Sequence, residues 1–200
     1  MRVGVLVSGS GTNLQSLLDA EASGALSASV RVVISNKPGV MALERAAKHG
    51  VPSRVIAHRD YASREDFDRA LVDVLRSYEV ELVVLAGFMR IVTPLFLGAF
   101  PQRVVNVHPS LLPAFPGVDA QAQALAYGAR VTGCTVHLVD AGVDTGPILA
   151  QSAVPVLDDD TVDTLRARIL REEHRTLVSA VNAVATGRVR LVGRRVIYGP

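Results

Sequence analysis

The sequence predicts an α/β protein built on an open, mostly parallel, twisted sheet with helices on both faces and antiparallel strands in its C-terminal part. Short apolar runs alternate with segments whose apolar residues recur at helical spacing. The runs are continuously apolar, which is typical of strands covered by helices on both faces. The chain has 200 residues, of which 49% are hydrophobic, enough to bury one substantial core. We therefore expect a single domain over residues 1–200.

Strands and helices are expected to alternate through the first half of the chain. The β-rich runs that predict strands cover residues 3–8, 30–35, 55–56, 82–86 and 104–107. Helical spacing predicts helices over residues 13–22, 41–49 and 64–78. A rhythm of strand, helix and strand favours parallel pairing, because the helix carries the chain back to the same edge of the sheet.

The pattern changes after residue 107. A loop rich in proline and glycine is predicted over residues 109–117, and a helix near 120–127. Strands predicted over 131–139 and 148–156 suggest a partly antiparallel extension. The polar residues 158–161 can cap a long helix over 162–185, and a final strand is predicted over 190–197.

Charge, apolar run length and cysteine content exclude several classes of protein. The formal net charge is only +2, and the basic clusters near the carboxyl end lack interleaved aromatic residues, which argues against nucleic-acid binding. The apolar runs fall far short of the roughly 18 residues of a membrane span, and no signal-peptide core follows Arg2. The single cysteine, Cys134, excludes an internal disulfide and is expected to be buried and inert. We expect a cytoplasmic protein.

A glycine-rich turn, Ser-Gly-Ser-Gly-Thr-Asn-Leu over residues 8–14, joins the first predicted strand to the first predicted helix. The free amides of a helix amino terminus can hold a phosphate there. Leu14 stands where a dinucleotide fingerprint needs its third glycine or alanine, and no Gly-Lys-Ser/Thr follows, so nicotinamide and ATP sites are disfavoured. A tight turn in which Thr12 or Asn13 merely caps the helix explains the motif about equally well.

Asn106 and His108 lie two residues apart at a predicted strand end, so their side chains point the same way. If Asp144 lies beside them, Asn106 and a charged His108 can donate to a developing oxyanion, and Asp144 favours the charged imidazole. Sequence spacing does not establish that contact, and a lone histidine at a strand end is more often structural. Ser110 lacks the context of a nucleophile elbow. No histidine pair has zinc-helix spacing, so no metal is expected.

Two further motifs add to the glycine-rich turn and the Asn-x-His motif. They are Leu-Ala-Gly-Phe-Met-Arg-Ile over residues 85–91 and Asp-Thr-Gly-Pro over 144–147. The chain resembles the phosphoribosylglycinamide formyltransferases, a group within the folate-dependent formyltransferase family, from Val3 to about Glu173. The resemblance implies a Rossmann-like fold. It also implies transfer of the formyl group of 10-formyltetrahydrofolate to the amine of glycinamide ribonucleotide in de novo purine synthesis, by direct attack through a tetrahedral intermediate.

The resemblance also implies roles for individual residues. Those expected to be catalytic are Asn106, His108 and Asp144. Those expected to bind the ribonucleotide are Gly11, Thr12 and Asn13, at the phosphate, and Glu173. Those expected to contact the folate are Arg64, Met89, Arg90, Ile91, Val92, Asn106, Asp140 and Asp144. Taken without the resemblance, Glu173 is an ordinary solvated helix residue and residues 89–92 are simple core.

The catalytic motif is shared by a wider group of folate-dependent enzymes, so it does not identify the molecule that accepts the formyl group. Other features of the chain must identify that acceptor. Relatives that act on methionyl-tRNA carry a further carboxyl-terminal domain, and formyltetrahydrofolate hydrolases carry an amino-terminal regulatory domain. We expect neither in a chain whose sheet begins at Arg2 and which ends at Pro200. The hydrolase is the alternative function, a folate-binding module without turnover is a third, and a homodimer is compatible with the sequence.

The loop after His108 departs from the family pattern. Family members often carry a basic residue at position 114 and a histidine or asparagine at 119, where this chain has Ala114 and Asp119. Because the loop is expected to fold over the site, its polarity could alter closure or acceptor affinity. His137, on an apolar run, is expected to be a packed histidine rather than part of the site.

Overall fold

The structure, a computed structural model, describes residues 1–199. The chain divides into two compact units, one from Met1 to Asn106 and one from Val107 onward. In the described part of the chain, no helix combines the length and the apolarity that a membrane crossing requires.

The first unit confirms the predicted parallel α/β arrangement. Its elements in chain order are β1 (Arg2–Val7), α1 (Thr12–Ala22), β2 (Ser29–Ser35), α2 (Met41–Lys48), β3 (Ser53–Val55), a 3-10 helix (His58–Asp60), α3 (Arg64–Ser77), β4 (Leu82–Leu85), α4 (Pro94–Ala99) and β5 (Val104–His108). The strands are parallel and lie in the order β3-β2-β1-β4-β5. The boundary between the units falls within β5, after Asn106.

Strand β1 shows why the strands are apolar at every position. Val3 and Leu6, whose side chains leave opposite faces of the strand, are both fully buried. Between them lies Gly4, where a Cβ atom would come within 2.4 Å of the Leu75 side chain of α3. Helix α3 therefore packs so closely on Gly4 that a side chain at this position would have to displace Leu75.

The order of the strands places two loops side by side. From β1 the chain moves outward through β2 to β3 and then returns to β4, which pairs with the other edge of β1. In open α/β sheets, ligands bind where this reversal separates the loops that follow two adjacent strands. The loop after β1 is the glycine-rich turn, and the loop after β4 contains residues 89–92. The topology thus brings the predicted phosphate turn and the predicted folate segment to the same edge.

The second unit carries the antiparallel strands. Its elements in chain order are α5 (Ala120–Tyr127), β6 (Val131–Leu138), β7 (Ile148–Pro155), α6 (Val162–Ala185), β8 (Val189–Val192) and β9 (Arg195–Tyr198). Strand β6 pairs with β7, and β8 with β9, both antiparallel. Cys134 lies fully buried in a cluster with Val154 and Leu165, and its burial raises the pKa of the thiol to about 11. The prediction that Cys134 is buried is therefore confirmed, and its inertness stays a prediction.

Three local predictions need correction or completion. The single final strand over residues 190–197 is wrong, because the chain reverses at Gly193, which has a φ of 60°, and forms the β8–β9 hairpin. Helix α4 and the 3-10 helix were not predicted; each is short, and α4 begins at Pro94, a residue well suited to a first helical position. The predicted cap of α6 is confirmed, since the Thr161 side chain accepts a hydrogen bond from the Thr164 amide.

Candidate functional site

His108 and Asp144 meet in the second unit. The Nδ1 atom of His108 lies 3.3 Å from Asp144 Oδ2; the His108 side chain is buried, with 5% of its surface exposed, and that of Asp144 is mostly covered, with 12% exposed. The Nε2 atom of His108 lies 2.8 Å from the Phe115 carbonyl oxygen. Both ring nitrogens thus face groups that accept hydrogen bonds, the arrangement that a protonated imidazole satisfies. The contact that sequence spacing left open is present.

A second histidine also faces Asp144. The Nε2 atom of His137, on β6, lies 3.7 Å from Asp144 Oδ1, while its Nδ1 atom donates to the Leu138 carbonyl at 2.9 Å. His137 is 2% exposed, so it is packed as predicted, but it is also directed at the site. The sequence did hold a signal for this contact. His137 is the second-last residue of β6, which ends at Leu138, and the loop that contains Asp144 follows directly.

Asp144 is held as a carboxylate by its surroundings. Burial alone would raise its pKa, but the neighbouring His137 side chain, the Gly117 N–H and the His108 side chain together hold the pKa below its ordinary value. The Gly117 amide donates to Asp144 Oδ2 at 2.8 Å. Asp144 has a φ of 55°, a left-handed conformation that costs energy in residues other than glycine. Such strain is typical of residues that the surrounding contacts fix for function.

The loop that contains Asp144 is ordered by its own side chains. Asp140 Oδ1 accepts hydrogen bonds from the Gly142 amide at 3.1 Å and from the Thr145 hydroxyl at 2.6 Å. A Cβ atom on Gly146 would lie 1.7 Å from the Leu138 carbonyl oxygen, so no other residue fits there. Arg194 of the hairpin donates to the Thr145 carbonyl. Asp140 therefore shapes the loop, and Arg194 is a supporting residue that sequence analysis missed.

The loop after His108 folds, as expected, over His108 and Asp144. Phe115 contributes its carbonyl to His108, and Gly117 its amide to Asp144. The two residues that depart from the family pattern are both exposed: Ala114 donates its amide to the Leu111 carbonyl, and Asp119 precedes α5 with a φ of 55°. Loop closure in this structure thus rests on backbone groups.

Asn106 precedes His108 by two positions on β5. It is half-buried, and its backbone lies opposite Leu85 of β4. The strand period directs the Asn106 and His108 side chains to the same side of β5, as the sequence predicts. Ser110 is fully buried and donates its hydroxyl to the Ala114 carbonyl at 2.5 Å, which fits the prediction that it is not a nucleophile.

The glycine-rich turn ends in the amino terminus of α1. Gly11 is the residue before the helix, with a φ of 70°, and a Cβ atom there would lie 2.6 Å from Ala42 Cβ of α2. Arg45 of the same helix donates to the Ser10 carbonyl at 2.8 Å. The alternative in which Thr12 or Asn13 caps the helix is wrong, because the helix begins at Thr12 and its cap position is a glycine. No side chain at the cap position bonds to the free amides of the first turn.

The predicted folate segment presents apolar side chains to solvent. Met89 is 70% exposed and Ile91 is 55% exposed, whereas Val92 is buried. The alternative that the segment is simple core is therefore wrong for Met89 and Ile91. Arg64, the first residue of α3, donates to the Ile91 carbonyl at 2.8 Å, which brings together two of the predicted folate residues.

Glu173 lies on α6 and is only 6% exposed. The alternative that it is an ordinary solvated residue is therefore wrong. A glutamate buried to this degree on a helix is uncommon without a specific partner or role. Among residues 1–199, no group of three or more histidine, cysteine, aspartate or glutamate side chains is arranged to hold a metal ion.

Comparisons with known proteins identify the family to which the chain belongs. The family model described as formyl transferase matches residues 1–181. A phosphoribosylglycinamide formyltransferase of Mycobacterium tuberculosis is 50% identical over 198 residues, which are 99% of this chain and 91% of the relative. The crystal structure of glycinamide ribonucleotide transformylase 1 from Symbiobacterium toebii has a TM-score of 0.99 and 53% identity, covering 100% of this chain and 94% of that one.

A longer relative shares the same region. The trifunctional purine biosynthetic protein adenosine-3 of Drosophila melanogaster is 51% identical over 190 residues, which are 92% of this chain. This chain spans only 14% of the length of that protein. The likeness is therefore to one part of a larger protein, whereas the bacterial relative is matched over nearly its whole length. The chain belongs to the formyl transferase family and, within it, to the phosphoribosylglycinamide formyltransferases.

Proposed function

We propose that the protein transfers the formyl group of 10-formyltetrahydrofolate to the amine of glycinamide ribonucleotide, a step of purine synthesis. The observation that carries the proposal is the contact between His108 and Asp144 at the end of β5, two residues beyond Asn106. An amide and a charged imidazole on one side of a strand can stabilise the oxyanion of an acyl transfer. The family to which the chain belongs supports formyl as the group transferred.

The reaction is a direct transfer. The neutral glycinamide amine attacks the formyl carbon, and the carbonyl electrons move onto oxygen to give a tetrahedral adduct. The Asn106 amide and the Nε2–H of His108 donate to that oxygen. In this structure the Nε2–H is directed at the Phe115 carbonyl, so substrate must exchange that bond for its own. Most of the acceleration comes from positioning and preorganised charge.

Collapse of the adduct breaks the bond between the formyl carbon and N10. The proton lost by the attacking amine is gained by N10, so the reaction leaves no net charge on the protein. Asp144 keeps His108 oriented through Nδ1, and it orders a water that carries the proton toward N10. No covalent intermediate with the protein is needed, in keeping with the buried, hydrogen-bonded hydroxyl of Ser110.

The binding residues keep the roles that the resemblance implies. The phosphate is held by the amides of Gly11, Thr12 and Asn13 at the start of α1, where the helix dipole favours an anion. Glu173 meets the ribose or the glycinamide end of the same substrate.

The folate is bound by a second set of residues. The exposed Met89 and Ile91 offer apolar surface, and the backbone of residues 89–92 offers hydrogen bonds to the pterin. The other residues that we propose to contact the folate are Arg64, Arg90, Asn106, Asp140 and Asp144, the last two through their shared loop.

The proposal extends to the state of the protein in the cell. We place it in the cytoplasm, acting on small molecules with 10-formyltetrahydrofolate as cosubstrate and without a metal. We also propose that residues 1–200 act as one formyltransferase domain. A homodimer stays a prediction, to be checked by analytical ultracentrifugation.

The test supplies 10-formyltetrahydrofolate with and without glycinamide ribonucleotide and measures tetrahydrofolate, formate and formylated ribonucleotide. The proposal requires product only when both substrates are present. Formate release that does not depend on the acceptor would indicate the hydrolase, and absence of turnover would indicate a binding module.

Variants then assign the chemistry. His108→Ala and Asp144→Asn should each lower kcat by roughly 10²- to 10⁴-fold, the range for loss of an acid–base or oxyanion group. His49→Ala, at an exposed histidine that ends α2, is the matched control and should keep normal turnover. Circular dichroism checks that each variant is folded. Normal turnover in folded His108→Ala protein would refute the assignment.

A further inference from the structure

We propose that Ser8 is a positioning residue that couples the ribonucleotide-phosphate turn to the folate segment, residues 89–92. The inference rests on the proposed function, because it uses the two binding roles given above. Ser8 directly follows β1 and directly precedes Gly9, the first glycine of the turn. It is 6% exposed and therefore out of reach of bulk solvent.

The Ser8 hydroxyl makes two hydrogen bonds of opposite sense. It donates to Asn36 Oδ1 at 2.6 Å and accepts from the Met89 amide at 2.8 Å. A serine hydroxyl has one hydrogen and two lone pairs, so donation to Asn36 leaves a lone pair for Met89. The hydroxyl thus joins Asn36 to Met89, the first residue of the folate segment.

Asn36 fixes the direction of the Ser8 hydroxyl. The asparagine directly follows β2 and is 2% exposed. Its Nδ2 atom lies 3.3 Å from His58 Nδ1, which can accept from it in the tautomer protonated at Nε2, and its Oδ1 atom lies 2.6 Å from the Ser8 hydroxyl. A carbonyl oxygen cannot donate, so the hydrogen of the hydroxyl must point at Asn36. The alternative orientation, with the hydrogen toward the Met89 amide, would place two donors against each other.

The folate segment depends on such side-chain contacts. It has no regular secondary structure between β4 and α4. Arg64 donates to the Ile91 carbonyl at 2.8 Å, and Asp68 accepts from the Thr93 amide at 2.6 Å; both side chains come from α3. Ser8, by contrast, belongs to the turn after β1. Through Ser8, a shift of the turn on binding phosphate therefore acts on the Met89 amide.

The proposal predicts a specific kinetic change in Ser8→Ala. The variant leaves the Met89 amide without its acceptor, a loss that should raise KM for 10-formyltetrahydrofolate about tenfold. The rate kcat should change little, because Asn106, His108 and Asp144 are untouched. A purely structural role would instead lower the thermal midpoint without this division between KM and kcat.

Binding of both ligands measures the coupling directly. Tetrahydrofolate and glycinamide ribonucleotide form a complex that cannot react, since no formyl group is present. Calorimetry gives Kd for tetrahydrofolate with and without the ribonucleotide. We expect the ribonucleotide to tighten tetrahydrofolate binding in the unchanged protein, and by linkage the reverse effect must be equal. In Ser8→Ala the ratio of the two Kd values should fall toward one.

Ser35→Ala is the matched control. Ser35 is fully buried at the end of β2, and its hydroxyl also donates once and accepts once, but both partners belong to Lys37. Its replacement should cost comparable stability and leave KM and the ratio of Kd values unchanged. Ser8→Cys retains side-chain volume and weakens both hydrogen bonds, so it gives the same test if Ser8→Ala does not fold.

The outcomes separate this inference from the proposed function. If the unchanged protein does not formylate glycinamide ribonucleotide, the proposed function fails. If it does, but the ribonucleotide leaves tetrahydrofolate affinity unchanged, the coupling role of Ser8 is refuted. Equal effects of the Ser8 and Ser35 replacements on KM would refute its positioning role. If only the Ser8 replacement raises KM and brings the ratio of the two Kd values toward one, the positioning role and the coupling role of Ser8 are both supported.

Discussion

The carboxylate of Asp144 shows how single residues make this site. It faces two histidines and one backbone amide, and it is held in a left-handed conformation with a φ of 55°. Burial opposes its ionisation, and the partners outweigh burial, so its pKa is lowered. A group of this kind stabilises the folded state only while it is charged.

The lowered pKa predicts the acid dependence of stability. A carboxyl whose pKa is depressed on folding stabilises the protein fully above its unfolded pKa of roughly 3.9, and loses that contribution as pH falls below it toward the folded value. Between pH 6 and pH 3, the thermal midpoint of the unchanged protein should therefore fall further than that of Asp144→Asn. Scanning calorimetry at both pH values checks this, and parallel losses in the two proteins would contradict it.

Gly11 should tolerate no side chain, whereas Gly9 should. At Gly11, a left-handed φ of 70° and a Cβ position 2.6 Å from Ala42 Cβ both oppose alanine. Gly11→Ala should lower the free energy of unfolding by about 1–3 kcal/mol and raise KM for the ribonucleotide. Gly9→Ala is the stability control, because nothing lies within 4 Å of its Cβ position. Urea titration compares the two, and equal stability would count against the turn geometry.

At the residue scale, sequence reasoning worked where periodicity applied. Strand period alone placed Asn106 and His108 on one side of β5, but their catalytic role came from the resemblance and stays a prediction. Asp144 needed the resemblance, since no local pattern connects residues so far apart in the chain. The burial of Glu173 and the contact of His137 with Asp144 depend on packing between elements, which a single sequence does not specify.

Helix α6 illustrates the scale of the single element. Its amino terminus is capped reciprocally: the Thr161 hydroxyl accepts from the Thr164 amide, and the Thr164 hydroxyl accepts from the Thr161 amide. Asp160 adds hydrogen bonds to the Leu157 amide and to Arg168, and the Arg168 guanidinium holds the pKa of Asp160 well below its usual range. The start of the helix is therefore fixed by local hydrogen bonds, independently of the packing along its length.

Loss of the cap should have a measurable cost. Thr161→Ala removes the acceptor for the Thr164 amide and should lower the free energy of unfolding by about 1 kcal/mol. Asp163→Ala, which removes an exposed ion pair with Arg166 in the same turn, should cost less than about 0.5 kcal/mol. Denaturant unfolding of both variants decides the point. A Thr161→Ala protein as stable as Asp163→Ala would contradict it.

Elements were predicted best where they are long and periodic. The bounds of α6, Val162–Ala185, match the prediction, because a capping residue marks its start and a sustained apolar stripe its length. The carboxyl-terminal hairpin was missed since its two strands have only four residues each, and the turn signal is one glycine inside a β-rich run. Short elements carry too few residues to show a period.

For the whole molecule, the fold class followed from composition and rhythm, and the position of the site from topology. Continuous apolar strands predicted the parallel sheet of the first unit, which the strand order confirms. The same order brings together the loops after β1 and β4. The strand order could not be read from the sequence. Which strands pair depends on how they pack against each other, and the residues of a single strand do not specify its neighbours.

Cys134 offers a test of whole-molecule cooperativity. It is fully buried, and its thiol has a pKa of about 11, so it should not react with a thiol reagent while the protein is folded. At pH 8, Ellman's reagent should label the native protein only at the rate of unfolding, and should label it fully and at once in concentrated urea. Rapid labelling of the native protein would show that the core around β6 opens locally.

The two hydrogen-bond acceptors around His108 also make its ring N–H groups observable by NMR. Hydrogens on a buried ring that are held by Asp144 and by the Phe115 carbonyl exchange slowly with water, so both should be visible in proton–nitrogen NMR spectra of labelled protein. In the proposed mechanism, substrate replaces only the Phe115 partner. A change confined to the Nε2 resonance would therefore report displacement of the loop, separately from the aspartate, before any turnover takes place.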